Sequence, residues 1–411
     1  MSHGCSIDDK GSFSDGNMLS LRSRMHMRIY IYKWQSYTID AVIVNLEEQG
    51  HQVYYRDFKM EKWTVLEDDL SRIEEDLKQQ PCDVTFSYNY FPQLAEVNHK
   101  MGIPYISWQY DDMVSYLYHE SIYLATNYIF CFDYHQYMEH MKRGVNAYYM
   151  PLAVDTRIWE AMLLNITKTD RKRFTSDVSF IGRLYSTETP VVFKSQGEYF
   201  CGYMDAVADV QAKMPSSVAL SQILPSHIIS GLYKRKITGK SEMSWERTIR
   251  NVVAQKAAAI ERIEVLNRLN DSFNFALYTK SDLKDYSRLQ SRGMVDYYTE
   301  MPKVFRLSKV NINITARMYQ SAIPLRALDV IGVGGFLISN AQEEFYFYFK
   351  EGENIVLFNN LDEMEDKIRY YLAHEKDRKR IIKEGKKIVE KEFDLGRQLD
   401  KMLKIAFTGG Q

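Results

Sequence analysis

Three arginines and a few carboxylates hold most of the chemistry available to this sequence. In the stretch IPLRALDVIGVGGFLIS, Arg326 and Asp329 stand three residues apart, a spacing that puts two side chains on one helical face. Pro324 suits the first turn of that helix, and Leu325, Leu328, Val330 and Ile331 give it an apolar side. The start of such a helix gathers free N–H groups and partial positive charge, a natural seat for a pyrophosphate. Asp329, about a turn further in, is placed to accept hydrogen bonds from ribose hydroxyls. The same residues also fit a core helix bearing a surface Arg–Asp pair and no ligand. Arg183 directly follows Gly182, and Arg317 lies in ITARMY after a strand-like run. Each can meet the charge of a leaving diphosphate or serve structure alone. No D-x-D occurs in the chain, so the expectation is a site with no metal and no cofactor, in which arginines and helix N–H groups answer that charge.

A second group of polar residues follows strand-like runs in the first half. In SWQYDD, Trp108 offers a platform for an acceptor and Asp111 a polar contact or a base for its hydroxyl proton. Asp112 suits the cap of a following helix, and the two aspartates are not separable by position. Tyr88 and Asn89 in SYNYFP, and Asp133 and His135 in FDYHQ, are expected to rim the same cleft.

The elements that position these residues alternate regularly from Met27 onward. Strands are expected at Arg28–Tyr32, Gln52–Arg56, Asp83–Ser87, Pro104–Trp108, Tyr128–Phe132 and Ala147–Met150. Between them lie helices over Ser36–Gln49, Leu66–Gln79, Pro92–Lys100 and near 113–124 and 135–143. Strands separated by helices mean parallel β-α-β units and an α/β doubly wound sheet, which binds ligands beyond the strands' C-terminal ends. The rhythm repeats at Asp177–Ile181, Asn274–Tyr278, Val310–Ile314, Phe336–Ser339 and Ile355–Phe358, with a mostly helical insertion over 186–272. Two Rossmann-like domains facing across a cleft follow, the first over 27–174 and the second over 175–390, with a C-terminal helix over 391–411. Residues 1–26, rich in Ser, Gly and Asp, read as a disordered extension or a tag.

Composition narrows the class. The 411 residues carry 53 Lys+Arg against 54 Asp+Glu, without the basic excess that nucleic-acid binding needs. Four scattered cysteines without a C-x-x-C pair argue against a disulfide framework or zinc site and suit a reducing compartment. No apolar run approaches a transmembrane segment, so the expected location is cytoplasmic, or peripheral to the inner face of a membrane. The missing G-x-G-x-x-G and G-x-S-x-G motifs argue against NAD-dependent hydride transfer and a serine hydrolase. The 30 tyrosines are the anomaly. Tyr88, Tyr90, Tyr110 and Tyr134 fall where an acceptor cleft should open, and aromatic faces suit sugars and bases.

The run IPLRALDVIGVGGFLIS resembles the donor-site helix and following strand of the bacterial CgeB-like (spore maturation protein) glycosyltransferases, relatives of the group 1 retaining enzymes. VTFSYNYFPQLAEVNHKMGIPYISWQYDDMVSYLY, NYIFCFDYHQYMEHMKRGVNAYYMPLAVD, DVSFIGRLY and IRYYLAHEKDRKRIIKEGKKIVEKEF are similar to other parts of that family, so the resemblance covers nearly all of 27–407. It implies a GT-B architecture, with C-terminal helices packing back on the first domain. The donor nucleotide, a UDP-sugar first among the choices, would sit on the second domain. The acceptor, a glycan or a protein, would enter from the first. It further implies transfer with retention, in bacterial surface, spore or protein glycosylation. Arg183 matches a phosphate-binding position. Asp329 matches the second acid of the E-x7-E pair of many group 1 enzymes, but Ser321 stands where the first acid would be. The base should lie after a strand at Gly293–Val295, near Val295, with Tyr297 or Tyr298 stacked on it. A GT-B-type sugar nucleotide epimerase and an inactive nucleotide-sugar-binding or assembly protein are the alternatives.

Overall fold

The computed structural model describes residues 26–34, 36–61, 64–111, 116–188, 191–214, 220–232 and 245–408. Asp112, and nearly all of the expected extension at 1–26, lie outside the described residues.

Among the described residues, thirteen strands form two parallel sheets and one short hairpin. The strands are β1 (Arg28–Lys33), β2 (Gln52–Asp57), β3 (Met60–Glu61), β4 (Thr64–Val65), β5 (Val84–Tyr88), β6 (Tyr105–Trp108), β7 (Asn127–Cys131), β8 (Ala147–Tyr149), β9 (Ser176–Ile181), β10 (Phe275–Tyr278), β11 (Ser308–Asn313), β12 (Leu337–Asn340) and β13 (Val356–Phe358). The first sheet runs in the order β2-β1-β5-β6-β7-β8 and the second β10-β9-β11-β12-β13, while β3 and β4 pair antiparallel. Helices between successive strands supply the crossovers that parallel pairing demands.

Both faces of a parallel sheet are covered, so its strands read as apolar runs. Here many of the apolar positions are tyrosines. Tyr30, Tyr32, Tyr88, Tyr90 and Tyr105 are fully buried in the core around the first sheet. Each hydroxyl has a partner: Tyr30 donates to Asp76 (2.6 Å), Tyr32 and Tyr88 accept from Asn98 (2.7 Å) and Thr38 (3.0 Å), Tyr90 pairs with Ser121 (2.7 Å), and Tyr105 with Ser87 (2.6 Å). A buried phenol keeps its ring area without losing a hydrogen bond, so much of the tyrosine excess is packing rather than cleft lining.

Residues 151–174, the linker between β8 and β9, form two helices, Thr156–Leu163 and Lys168–Phe174. The insertion carries the long helix Trp245–Ser272, which packs along Glu198–Lys213. The tail breaks at His374 as well as near 393, giving helices Leu361–Ala373, Glu375–Glu392 and Leu395–Thr408. The last crosses back: Leu395, Leu399, Met402, Leu403 and Ala406 are buried in the first sheet's core. The crossing point is tied by Val154 N–H to Phe393 O (2.9 Å) and Leu395 N–H to Val154 O (3.2 Å). The molecule is thus two α/β units, each on its own parallel sheet, with the terminal helix returned to the first. No helix among the described residues is long and apolar enough to cross a membrane.

Candidate functional site

The C-terminal ends of β5, β6 and β7 face those of β9, β11 and β12. At the first rim, Asn89 follows β5 with a left-handed backbone (φ 60°), a conformation Asn tolerates better than most side chains. Its amide then organises the turn after β6: Oδ1 accepts the N–H groups of Tyr110 (2.8 Å) and Asp111 (3.0 Å), and Nδ2 donates to Asp111 Oδ2 (3.3 Å). Burial pushes the Asp111 carboxyl above the ordinary range, opposed by the Asn89 bond and by the charge of Arg183 across the cleft. Arg183 is exposed, and its guanidinium forms no hydrogen bond with another described residue. A half-buried carboxylate after β6 thus lies within electrostatic reach of the Arg183 side chain carried by the loop after β9.

Tyr88 and Trp108 were expected beside Asp111. Both are instead in the core, ring against ring at 5.7 Å, and Trp108 Nε1 donates to Met150 O (3.2 Å). They are the last residues of their strands, and because both faces of the sheet are covered every side chain of those strands is buried. Asn89 is also fully buried and holds the loop instead of presenting itself to an acceptor.

Asp133 is buried and bridges the two units. It caps the helix Tyr134–Lys142 through Gln136 N–H (3.1 Å) and accepts the N–H groups of Gln320 (2.8 Å), Ser321 (3.0 Å) and Ala322 (3.3 Å). The Ser321 hydroxyl lies 3.1 Å from Asp133 Oδ1 and 2.7 Å from Glu344 Oε1. Glu344 also accepts from Tyr134 N–H and the Tyr149 hydroxyl, both at 2.7 Å. His135 is exposed, and its Nε2 lies 2.7 Å from Glu343 of the second unit. Asp133 and His135 therefore hold the units together, where acceptor contacts were expected.

On the second unit, the helix Leu325–Val333 starts directly after Pro324, which makes no side-chain cap bond, and ends at Gly334 in a left-handed turn (φ 78°). Pro324 is buried and Leu325 half-buried against the surrounding core. Asp329 is buried, accepts from Tyr297 Oη (2.9 Å) and lies 3.8 Å from Arg326. Its carboxyl is pushed up to about 6 by burial, opposed by Arg326 and the Tyr297 bond. Arg326 packs on Met301 Sδ and the Phe305 ring, so it is committed to this cluster and does not stand free.

The expected strand at Gly293–Val295 is absent; the segment has only an isolated bridge between Ser291 and Leu277. Val295 is half-buried. Tyr297 is buried, stacked on Tyr37 of the first unit (5.3 Å, 26°) and edge-on to Trp159 (5.4 Å). Its ring is already covered. Tyr298 is half-buried and donates its hydroxyl to Tyr37 O, leaving it the more accessible of the two. Arg317 is not at the cleft: its guanidinium forks onto Glu261 (2.7 and 2.8 Å), and the two side chains are 4% and 7% exposed.

Sequence reasoning missed Tyr37, Trp159, Arg262 and Glu344. Tyr37 and Glu344 each follow a strand-like run by a few residues, the same signal that marked Asp111. Trp159 and Arg262 carried no signal, because neither the linker nor the insertion is rhythmic. Among the described residues no group of three or more His, Cys, Asp or Glu is placed to hold a metal ion.

Residues 255–404 match the family model described as Glycosyl transferase-like. The fold is similar to that of a glycosyltransferase from Rickettsia africae ESF-5 (12% identity, TM-score 0.51, covering 93% of this chain and 98% of that one). It is also similar to sucrose-phosphate synthase from Thermosynechococcus elongatus (10% identity, TM-score 0.50, 93% and 100%). A third similar structure is Anabaena HepE in complex with UDP-glucose (10% identity, TM-score 0.50, 93% and 100%). A search of curated proteins finds no match. The fold is that of GT-B glycosyltransferases, and the segment matching the Glycosyl transferase-like model lies in the second unit and the tail.

Proposed function

We propose that this chain transfers a sugar from a nucleoside diphosphate sugar to an acceptor hydroxyl, without a metal and with retention at the anomeric carbon. The observation that carries the reading is that Asp111, held by Asn89 in the loop after β6, and Arg183, exposed in the loop after β9, stand at strand ends of the two different units. In the transfer the bond from the anomeric carbon to the diphosphate oxygen breaks, and a bond from that carbon to the acceptor oxygen forms. Charge grows on the departing diphosphate, and Arg183 is the free cation at the rim that can meet it. The acceptor must lose its hydroxyl proton, and Asp111 is the carboxylate at the opposite rim that can take it. Holding donor and acceptor between two opposed loops supplies the remaining advantage, proximity. Metal independence and retention rest on the absent D-x-D and on the resemblance to the group 1 retaining enzymes.

UDP is the first donor base to test, because the Anabaena relative is seen with UDP-glucose. The acceptor is proposed as a bacterial surface glycan or a protein, from the CgeB-like resemblance alone. Thermal denaturation with UDP, GDP and dTDP should show one nucleotide raising the midpoint, since a ligand that binds only the folded state stabilises it. No shift with any of the three removes the donor site. Product analysis with the matching sugar nucleotide then separates transfer or hydrolysis from epimerisation, and NMR of the product reads the anomeric configuration.

A further inference from the structure

The long insertion helix Trp245–Ser272 reaches the loops after β9 and β11 with two consecutive buried residues, Glu261 and Arg262. Arg262 is the more informative. Its Nη1 donates to the carbonyl of Arg183, and its Nη2 donates to the carbonyl of Ile314 (2.7 Å). One planar guanidinium thus spans the ends of two neighbouring strands. Its charge also lies over the Tyr185 ring (4.6 Å), a residue held in the left-handed region (φ 61°). The other side of the same peptide is fixed too, because Leu184 N–H donates to Ser281 Oγ (2.9 Å). The Arg183–Leu184 peptide plane is therefore pinned at both its carbonyl and its N–H, while the Arg183 side chain is left free.

We infer that Arg262 is a positioning residue of the donor site, setting the direction in which Arg183 leaves the loop toward the diphosphate. The inference rests on the proposed function and extends it to a residue of the insertion. A core-filling role would need only an apolar side chain there, whereas two carbonyls aimed at one buried fork require its geometry. A lysine ammonium has three donors but no rigid planar fork, so it does not match two separated carbonyls as Nη1 and Nη2 do.

The test is a double-mutant cycle read by UDP binding in titration calorimetry, with GDP or dTDP in its place if that is the nucleotide wild type binds. Arg183→Ala should weaken binding about tenfold, in line with loss of a charge-assisted contact. Arg262→Met should weaken it by a similar factor, and the double variant should be no weaker than Arg183→Ala alone, because the two act as one unit. Multiplying losses would make Arg262 a residue of general structure and overturn the inference, as would unchanged affinity in Arg262→Met. Should Arg262→Met fail to fold, Ser281→Ala releases the other side of the same peptide and must show the same dependence on Arg183. Wild type that binds none of the three nucleotides would instead overturn the proposed function, and this inference with it.

Discussion

The hydroxyl of Ser321 lies 2.7 Å from the carboxyl of Glu344, and Glu344 N–H returns a bond to Ser321 O at 3.1 Å. Ser321 occupies the place where the related E-x7-E pair would have its first acid. The fold brings a carboxyl to that place from 23 residues further along the chain. The same hydroxyl lies 3.1 Å from Asp133. It has one proton and faces two carboxyls, so one of them must carry a proton to complete both bonds. Burial and the Asp133 charge push Glu344 up to about 7, so Glu344 is the partner that takes up a proton as pH falls through that value.

Replacing this hydroxyl should be costly. Ser321→Ala leaves the buried Asp133 and Glu344 short of a shared partner, and the expected loss is about 1–3 kcal/mol. Ser321→Glu should lose more, since it adds a third carboxyl to the cluster. Urea unfolding of both variants checks the order; equal stability of wild type and Ser321→Glu would contradict it.

The Glu344 shift also fixes a pH dependence. Its folded value, about 7, lies above its ordinary 4.5, so between those values the folded chain keeps a proton the unfolded chain has released. The stabilisation is complete below about pH 4.5 and is lost as pH rises through about 7. Its size is on the order of 3 kcal/mol, at roughly 1.4 kcal/mol per pKa unit. Asp329, pushed up to about 6, contributes with the same sign. Glu344→Gln should therefore flatten, without abolishing, the fall in stability between pH 4.5 and 7. An unchanged slope would place the proton elsewhere.

Arg317 and Glu261 form a buried pair far from solvent. Arg317→Met strands a carboxylate that burial already pushes above its ordinary range, and the expected cost is about 3–5 kcal/mol. The double variant Arg317→Met with Glu261→Met should recover most of that loss. Both changes should leave nucleotide affinity within a few-fold of wild type once stability is allowed for. A large, selective loss of affinity would return Arg317 to the donor site.

Asp111→Asn keeps the shape of the side chain and removes its ability to take a proton. Activity should fall by about 10²–10⁴, with an unfolding midpoint close to wild type because Asn89 can still bond to the amide. Full activity in this variant would remove Asp111 as the base.

The sequence by itself determined the alternation of strands and helices and the parallel sheets, whereas the crossing tail is only what the family resemblance implies. The alternation and the sheets follow from local periodicity and from punctuation such as Gly102 and Gly334, both left-handed at helix ends. It also placed Asn89, Asp111, Arg183 and Asp329 near strand ends or at a helix start, because chain order sets which end of a parallel strand is the ligand end. Only the tertiary structure decided which of those side chains face the cleft. Trp108 and Tyr88 precede Asn89 and Asp111 by a residue or a few, yet they still lie within the covered sheet and are buried in its core. Arg317 finds Glu261 across 56 residues and Ser321 finds Glu344 and Asp133 on different units. Such pairings depend on where separate elements come to rest, which no spacing along the chain encodes. The tyrosines show the same division: their number was legible, but burial and a hydrogen-bond partner for each core phenol were settled only by packing.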